Sequence, residues 1–376
     1  MKKIYLDNNA TTALDPRVIE AMQEVLTPIP FNSSSIHSFG QESKKLLTKS
    51  RDTIAHALHV KPQEIVFTSG ATEALNLLLR GFYTPGTHII TSNVEHPAVR
   101  ETLQALEKQG AKVTYLPAGL WGAVQPHQLI EALTPETRLI VLMAANNITG
   151  VKTDIAAIAD IAQQRNIPFI VDGVQVLGKE IFHISPGISA MAFSGHKLHG
   201  PAGSGFAFIR SSTKLLPQIT GGSQEYGRRA GTENLLGIVG LAKAIELLAT
   251  ELPAATERMR TLRDRLTEGL MENLGNIVVH GQGPRICNTA HMGFPGIDGE
   301  TLLLQLDLAG LAASHGSACT SGGLEPSPIL LNMQIPASLA RTSIRFSLSR
   351  TTTPQEIDTA IELVTQLVKK QKNLIL

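Results

Sequence analysis

Lys197 stands where a sequence concentrates chemistry. The segment Met191 to Ile209 delivers Ser194, Gly195 and His196 from a short apolar run and then turns through Gly200, Pro201, Gly203 and Gly205 into a second apolar run, Phe206 to Ile209. Strand, turn and strand in that order place the lysine at a strand end. A lysine so placed can lose its water, lower its pKa and form a Schiff base with a carbonyl, while the hydroxyl and imidazole just before it can hold an anion. This stretch alone leaves an exposed loop lysine open as the other reading.

Companion residues lie at other strand ends. The apolar run at Ile65 to Phe67 leads into TSGATEALN, where Gly70 permits a tight turn and the backbone N–H groups of Ala71 and Thr72 open a helix, forming an anion cup. His96 precedes a proline-started helix in IITSNVEHPAV, and Asn147 precedes a turn in LMAANNITG. Both face one side if the sheet is parallel. In IPFIVDGVQ a wholly apolar strand ends in Asp172, with Gln175 just beyond. A carboxylate at such a position needs a cationic partner, and a pyridinium nitrogen suits it. Arg345 alternates with apolar residues in SIRFSLSR, so it and Arg341 can turn a planar guanidinium toward a cleft that takes a carboxylate. Cys319 sits in HGSACTSGGLEPS, a loop of small residues and glycines that can swing, whereas Cys287 in PRICNTAHM enters a strand and reads as structural.

The elements that must position these residues alternate. Strands at Glu64 to Phe67, His88 to Thr91, Lys112 to Leu116, Leu139 to Ala144 and Phe169 to Val171 are separated by helices at Thr72 to Leu79, Pro97 to Gln109, Pro126 to Leu133 and Ile155 to Arg165. This is the rhythm of an α/β protein with a mostly parallel sheet covered by helices, whose sites lie at strand C-terminal ends. Leu235 to Leu274 reads as helical with a break at Pro253, and a final helix is expected over Pro354 to Lys370. The chain has 376 residues, enough for a large domain plus a smaller one, and divides as 16–250 against 1–15 with 251–376.

Charge narrows the partners. Lys and Arg total 33 against 32 Asp and Glu, a net +1, which gives no electrostatic case for nucleic acid or an anionic membrane. No apolar run approaches the roughly 20 residues that span a bilayer, and MKKIYLDNN turns polar too soon for a secretory signal, so a cytoplasmic protein is expected. Two cysteines make no disulfide framework, and no metal is implied.

Together YLDNNATT, TSGATEALN, VEHPAV, VDGVQ, FSGHKLHGP, RRAGTEN, HGSACTSGGLEPS and SIRFSLSR, in this order and nearly end to end, resemble the class V, fold-type I aminotransferase family of pyridoxal phosphate (PLP) enzymes, and most closely its cysteine desulfurases of the NifS and IscS kind. The resemblance implies a large domain with a seven-stranded type of sheet, a smaller α+β domain and a homodimer. It implies that Lys197 holds PLP, that Asp172 pairs with the ring nitrogen, that Asn147 and Gln175 contact the ring oxygen, and that His96 stacks over the ring and moves protons. Ala71, Thr72, Ser194 and His196 would bind the phosphate, with Thr232 reaching it from the other subunit. Arg345 would bind the substrate carboxylate, assisted by Asn32. PLP needs just such parts: a lysine, an acid that keeps the pyridine protonated, and neutral donors around a dianion.

In desulfurases the cysteine thiolate takes sulfur from L-cysteine, leaving alanine and an enzyme persulfide, so Cys319 carries that role and a sulfur-acceptor protein for iron-sulfur assembly or thiolation is the implied partner. A selenocysteine lyase and a scaffold that merely retains PLP are the rival readings. Three places depart from the family pattern. Ile148 follows Asn146-Asn147 where relatives commonly carry Glu, Phe31-Asn32-Ser33 replaces Gly-Asn-Pro, and Gln224 and Tyr226 stand where His and Arg are frequent.

Overall fold

Apolar runs too short for helices, each followed by an amphipathic stretch, produce the predicted succession of strands and helices. The computed structural model describes residues 3–26, 32–315 and 326–375. In chain order the elements are β1 (Ile4–Tyr5), α1 (Pro16–Val25), α2 (Ser38–Ala57), β2 (Ile65–Thr68), α3 (Ala71–Phe82), β3 (His88–Ser92), α4 (Pro97–Glu107), β4 (Lys112–Leu116), α5 (Pro126–Ala132), β5 (Thr137–Met143), α6 (Ile155–Gln164), β6 (Phe169–Asp172), β7 (Ala190–Ser194) and β8 (Gly205–Ile209). They continue with α7 (Leu235–Leu274), β9 (Val278–Val279), β10 (Thr289–Gly293), α8 (Gly299–Leu308), β11 (Leu311–Ala312), α9 (Pro328–Asn332), α10 (Ala337–Ala340), β12 (Ser343–Ser347) and α11 (Pro354–Ile375).

Seven strands form the central sheet in the order β2-β8-β7-β6-β5-β3-β4. Pairings from β7 through β4 are parallel, and β8 runs antiparallel to both β7 and β2. The inner parallel strands β3, β6 and β7 are buried throughout and β5 nearly so, as helical crossovers require, whereas the edge strand β4 is largely half-exposed. One face packs under α2 and α7 through residues such as Ile54, Phe193, Phe206 and Ile245, and the other under α3 and α4 through Leu78, Val99 and Leu103. Crossovers of this kind bring the C-terminal ends of β3, β5, β6 and β7 to one edge, where Asp172 closes β6 and the turns that carry His96, Asn147 and Lys197 emerge.

A second core stands apart from the sheet. It gathers Ile4 and Leu6 with Leu262, Leu266 and Leu270 of α7, Leu302 and Leu306 of α8, Ile344 and Phe346 of β12, and Ile357 and Val364 of α11. A three-stranded antiparallel sheet, β12-β10-β9, and the parallel pair β1-β11 lie in it.

The expected break at Pro253 is a correction: α7 is a single helix from Leu235 to Leu274 with Pro253 inside it. A mid-helix proline forfeits one hydrogen bond and costs about 3 kcal/mol. Leu241, Ile245 and Leu248 before it pack in the sheet's core, and Leu262, Leu266 and Leu270 after it pack in the second core. At roughly 1.5–3 kcal/mol per buried aliphatic side chain, that packing outweighs the loss.

Candidate active site

A cavity of about 470 Å³ opens at the C-terminal edge of the sheet, with Ala71, Thr72, His96, Asn147, Asp172, Gln175, Ser194, His196, Lys197 and Arg345 in its wall. Ten positions spread over 275 residues of sequence thus converge, nine of them from strand ends of the central sheet and Arg345 from β12.

The amine side is set by the turn after β7. Gly195–Lys197 forms a single 3-10 turn, and the Lys197 amine donates to the carbonyl oxygens of Asn9 and Ala10, both at 2.6 Å. His196 Nδ1 lies 3.1 Å from Thr11 Oγ1, so the N-terminal segment grips this turn at successive residues. Burial, reinforced by Lys197 and Lys179, lowers the His196 imidazole to about 4 and keeps it neutral.

The anion cup forms where β2 meets α3. Gly70 occupies the N-cap with no side-chain cap, leaving the first helical N–H groups to whatever enters the cavity. The turn is pressed against β8: a β-carbon on Gly205 would lie 2.6 Å from Gly70 Cα, so only glycine fits. Glu73 in the same first turn would repel an anion were it unpaired, but it accepts from Arg229 Nε at 2.7 Å and from Ser69 N at 2.9 Å. Burial pushes its carboxyl up, and these bonds outweigh that and hold it below the usual range.

Asp172 ends β6 and is buried. Its Oδ1 accepts from Val174 N at 3.0 Å. Burial raises its pKa, with His96, the Val174 N–H and Lys197 opposing, so a cation entering the cavity beside it would be stabilised. His96 caps α4: its Nδ1 accepts from Ala98 N at 3.1 Å, which leaves the N–H of the neutral ring on Nε2. Burial lowers its pKa, Asp172 opposes and Lys197 and Arg100 reinforce the fall.

Arg345 reaches the cavity from the second core. It is 2% exposed; Nη1 donates to the Asn147 carbonyl at 2.9 Å and Nη2 to Asp7 Oδ1 at 2.6 Å. Two of five guanidinium N–H groups are used by these bonds. Its backbone pairs with Ser314, N to O in both directions at 2.7 and 3.1 Å, so the chain enters the Cys319 segment from a position fastened to Arg345. Cys319 itself lies outside the described residues. Cys287 is fully buried, donates its Sγ–H to the Lys179 carbonyl at 3.0 Å and has its thiol pushed up to about 12 by burial. A thiol so placed is inert, in keeping with its reading as structural.

Two sequence-selected residues stand elsewhere. Thr232 lines a small recess with Ser33, Ser43 and Glu233, and Asn32 is exposed with its Oδ1 on Ser34 N at 3.0 Å. Ser33 Oγ donates to Glu233 Oε2 at 2.8 Å, so the segments bearing Asn32 and Thr232 meet each other within this chain, away from the cavity. Ile148, which stands where relatives commonly carry Glu, lies outside the cavity wall. It is 1% exposed and packs with Val94, Leu330 and Met333, so it faces an apolar cluster instead of the cavity.

The sequence reading passed over four residues. Asn9 lends its carbonyl to Lys197 and its Nδ2 to the Asn147 carbonyl at 3.1 Å. Asp7 pairs Arg345. Glu95 accepts from Ser92 Oγ at 2.6 Å and Met143 N at 3.1 Å, tying the end of β3 to that of β5, and burial lifts its carboxyl to about 8. Lys179 donates to Gln175 Oε1. Asn9 and Lys179 left a local signal, in YLDNN and as a lysine between the mostly apolar segments VQVLG and EIF, whereas Asp7 and Glu95 take their meaning from distant partners.

The donor set fits PLP: a lysine amine, an unadorned helix N-terminus with Ser194 and a neutral His196, and a buried carboxylate face one cavity. The aminotransferase class-V family model matches residues 4–359. The cysteine desulfurase IscS of Dictyoglomus turgidum is 40% identical over 379 residues, covering 99% of this chain and 96% of that one. Among solved structures, a NifS-like protein superposes with a TM-score of 0.90 at 34% identity over 98% of this chain and all of that one. SspA in complex with cysteine superposes at 0.82 with 29% identity, covering 93% of this chain and 100% of that one. The chain belongs to the class-V aminotransferase family of PLP-dependent enzymes, within its cysteine desulfurase branch.

Proposed function

We propose that this desulfurase converts L-cysteine to L-alanine and passes the sulfur through a persulfide on Cys319 to an acceptor protein. The observation that carries the reading is that Lys197, Asp172 and Arg345 open into one cavity, an amine, an acid and a carboxylate-binding guanidinium. The likeness to SspA solved with cysteine supports the substrate.

PLP held by Lys197 supplies an electron sink that loosens the bonds at the substrate Cα. The protein's own groups do the rest. Asp172 would keep a positive charge on the ring nitrogen, and the N–H groups at the start of α3, with Ser194 and His196, would hold the phosphate. Arg345 fixes the substrate carboxylate and so aims the Cα–H bond. The Lys197 amine would take the Cα proton and later return protons to the product, and the His96 Nε2–H would serve as a donor in the same cavity. The Cys319 thiolate then attacks the substrate sulfur: an S–S bond forms as the C–S bond breaks, and alanine leaves with a proton on its β-carbon. Closed on itself the step reads cysteine plus thiol to alanine plus persulfide, with no outside oxidant.

Asn32 and Thr232 belong, in this reading, to a cavity completed by a second copy of the chain, with Thr232 on the partner's phosphate site; their distance from the cavity of their own chain supports that. The chain divides into a large unit, 16–250, and a smaller one, 1–15 with 251–376, a division supported by the two separate cores that α7 spans. Among the described residues no helix is long and apolar enough to cross a membrane, and a cytoplasmic enzyme is the reading adopted. Iron-sulfur assembly or thiolation is the destination of the sulfur.

Incubation with L-cysteine and a thiol reductant, with alanine and sulfide quantified together, tests the reaction. Equal amounts from the wild type and neither from Cys319→Ser are expected. Pyruvate and ammonia in their place would overturn it, and selenocysteine cleavage retained by Cys319→Ser would favour a selenocysteine lyase. A wild type that binds PLP yet releases no alanine would leave a scaffold.

A further inference from the structure

The segment leaving β6 carries Asp172 and Gln175 into the cavity wall and then reaches Lys179, a lysine only 3% exposed. Its main chain is clamped. The Lys179 carbonyl accepts from Thr256 Oγ1 of α7 at 2.9 Å and from Cys287 Sγ at 3.0 Å, and its N–H donates to the Val176 carbonyl at 3.1 Å. With the backbone so held, the side chain runs toward the cavity and its amine donates to Gln175 Oε1.

A buried lysine kept for stability alone is expected to have a carboxylate partner, because an uncompensated buried charge is costly. The neighbouring acid, Glu180, is engaged elsewhere: Oε2 takes Lys152 Nζ at 3.1 Å and Oε1 takes Cys287 N at 2.9 Å. Among the described residues the charges that act on the Lys179 amine come from Lys197, Cys287 and Arg345, two cations and a thiol, and the amine in turn acts on the imidazoles of His196 and His199, so no carboxylate is among them. Burial and then Lys197 pull the amine down to about 7.

The consequence falls on Gln175. A carboxamide presents an acceptor on one side and two donors on the other, and a lysine amine beside it settles which is which. Oε1 must face Lys179, so Nε2 faces the Asn9 carbonyl, 3.4 Å away. That carbonyl is the one that also receives the Lys197 amine at 2.6 Å. An unbroken path therefore runs from Lys179 through the Gln175 amide and the Asn9 carbonyl to Lys197.

We propose that Lys179 is a positioning residue for the cofactor: it holds Gln175 Oε1 on its own side, so that one Nε2–H goes to the Asn9 carbonyl and the other is presented to the ring oxygen of PLP, and it links the Gln175 orientation to the Lys197 amine through the Asn9 carbonyl. This rests on the PLP reading of the cavity. Without Lys179 the amide is free to flip and to offer an oxygen where the ring oxygen needs a donor.

The test uses holoenzyme of the wild type, Lys179→Met, Gln175→Ala and the double variant, reading the visible absorbance of bound PLP against pH alongside the thermal midpoint. Lys179→Met is expected to keep PLP and to move the spectroscopic midpoint by about half a pH unit or more in the same direction as Gln175→Ala. The double variant is expected to match Gln175→Ala, because Lys179 acts through that amide. Lys179→Gln, which retains a polar group in the same space, is measured in the same way should the methionine variant be insoluble, and its midpoint is expected between the two. A changed thermal midpoint with an unmoved spectroscopic midpoint, or shifts that add in the double variant, would overturn the proposal. A wild type with no visible band would fail the PLP reading itself, whereas a normal band unaffected by Lys179 fails only this inference.

Discussion

Lys197 and Asn9, separated by 188 positions, meet through a 2.6 Å bond from the lysine amine to the asparagine carbonyl, with the Ala10 carbonyl taking a second bond of the same length. The N-terminal segment is therefore part of the setting that holds the Lys197 amine at the cavity. It orients the amine before any cofactor arrives, and this prepositioning is what a carbonyl-capturing lysine requires.

Replacing that amine tests the centre directly. Lys197→Ala is expected to lower alanine and sulfide release by roughly 10²–10⁴-fold or more, as removal of a positioned acid-base group does. The visible absorbance of bound PLP should vanish with it, while the far-ultraviolet circular dichroism stays that of the wild type. Retention of the band would place the cofactor on another amine.

Arg345 is expected to act on KM. Its guanidinium is buried, held by Asp7 and the Asn147 carbonyl, and planar, so it can take a carboxylate with two parallel bonds. Arg345→Lys keeps a charge for Asp7 but loses the fork. A charge-assisted bond contributes about 1.5–3 kcal/mol, so KM for cysteine should rise about 10- to 100-fold with kcat changed far less. Steady-state kinetics checks the split; a fall in kcat at constant KM would remove Arg345 from substrate binding.

His96 sets a pH dependence. Burial lowers its pKa, and its Nδ1 is occupied by the Ala98 N–H, so protonation must both charge a buried ring and break a helix cap. The ring is therefore neutral through the neutral range and becomes cationic only below the ordinary histidine value of about 6.5. A cation there would draw the Asp172 charge away from the ring nitrogen, so kcat should fall as pH drops through that lower value. In His96→Gln the overall rate drops and this acid limb disappears. An unchanged limb in the variant would assign it to another group.

The sequence exposed the strand ends and hid what ties them together. Asp172 and Lys197 were readable because a charged residue closing an apolar run is locally anomalous. Asp7 and Glu95 were not, because their meaning comes from Arg345, 338 positions away, and from the Met143 N–H, 48 positions away. Strand direction is equally invisible to periodicity: β8 looks like its neighbours and alone runs against them. Pro253 misled because local propensity for a break is weaker than the packing of both halves of α7. Where the Ile148 side chain goes is likewise not legible locally: it follows a cavity residue in sequence and packs in a different, apolar cluster.

The segment that carries Thr232 is fastened by a buried pair. Glu225 accepts from Arg51 Nη1 at 2.8 Å, Arg51 Nη2 at 2.6 Å and Phe67 N at 2.8 Å, and Arg51 Nη1 also donates to the Ile65 carbonyl at 2.6 Å. The guanidinium lies 4.6 Å from the Phe67 ring centroid and 5.2 Å from that of Tyr226. Glu225 and Tyr226 adopt left-handed backbone, φ 48° and 58°, which the pair must hold in place. Glu225→Ala leaves a buried guanidinium without its carboxylate, so it should destabilise by about 3–5 kcal/mol in urea unfolding. Glu225→Gly separates the two contributions: it relieves the backbone and still loses the pair, so it should fall below the wild type by somewhat less than alanine. If glycine instead matched the wild type, backbone strain and not the ion pair would be what Glu225 governs.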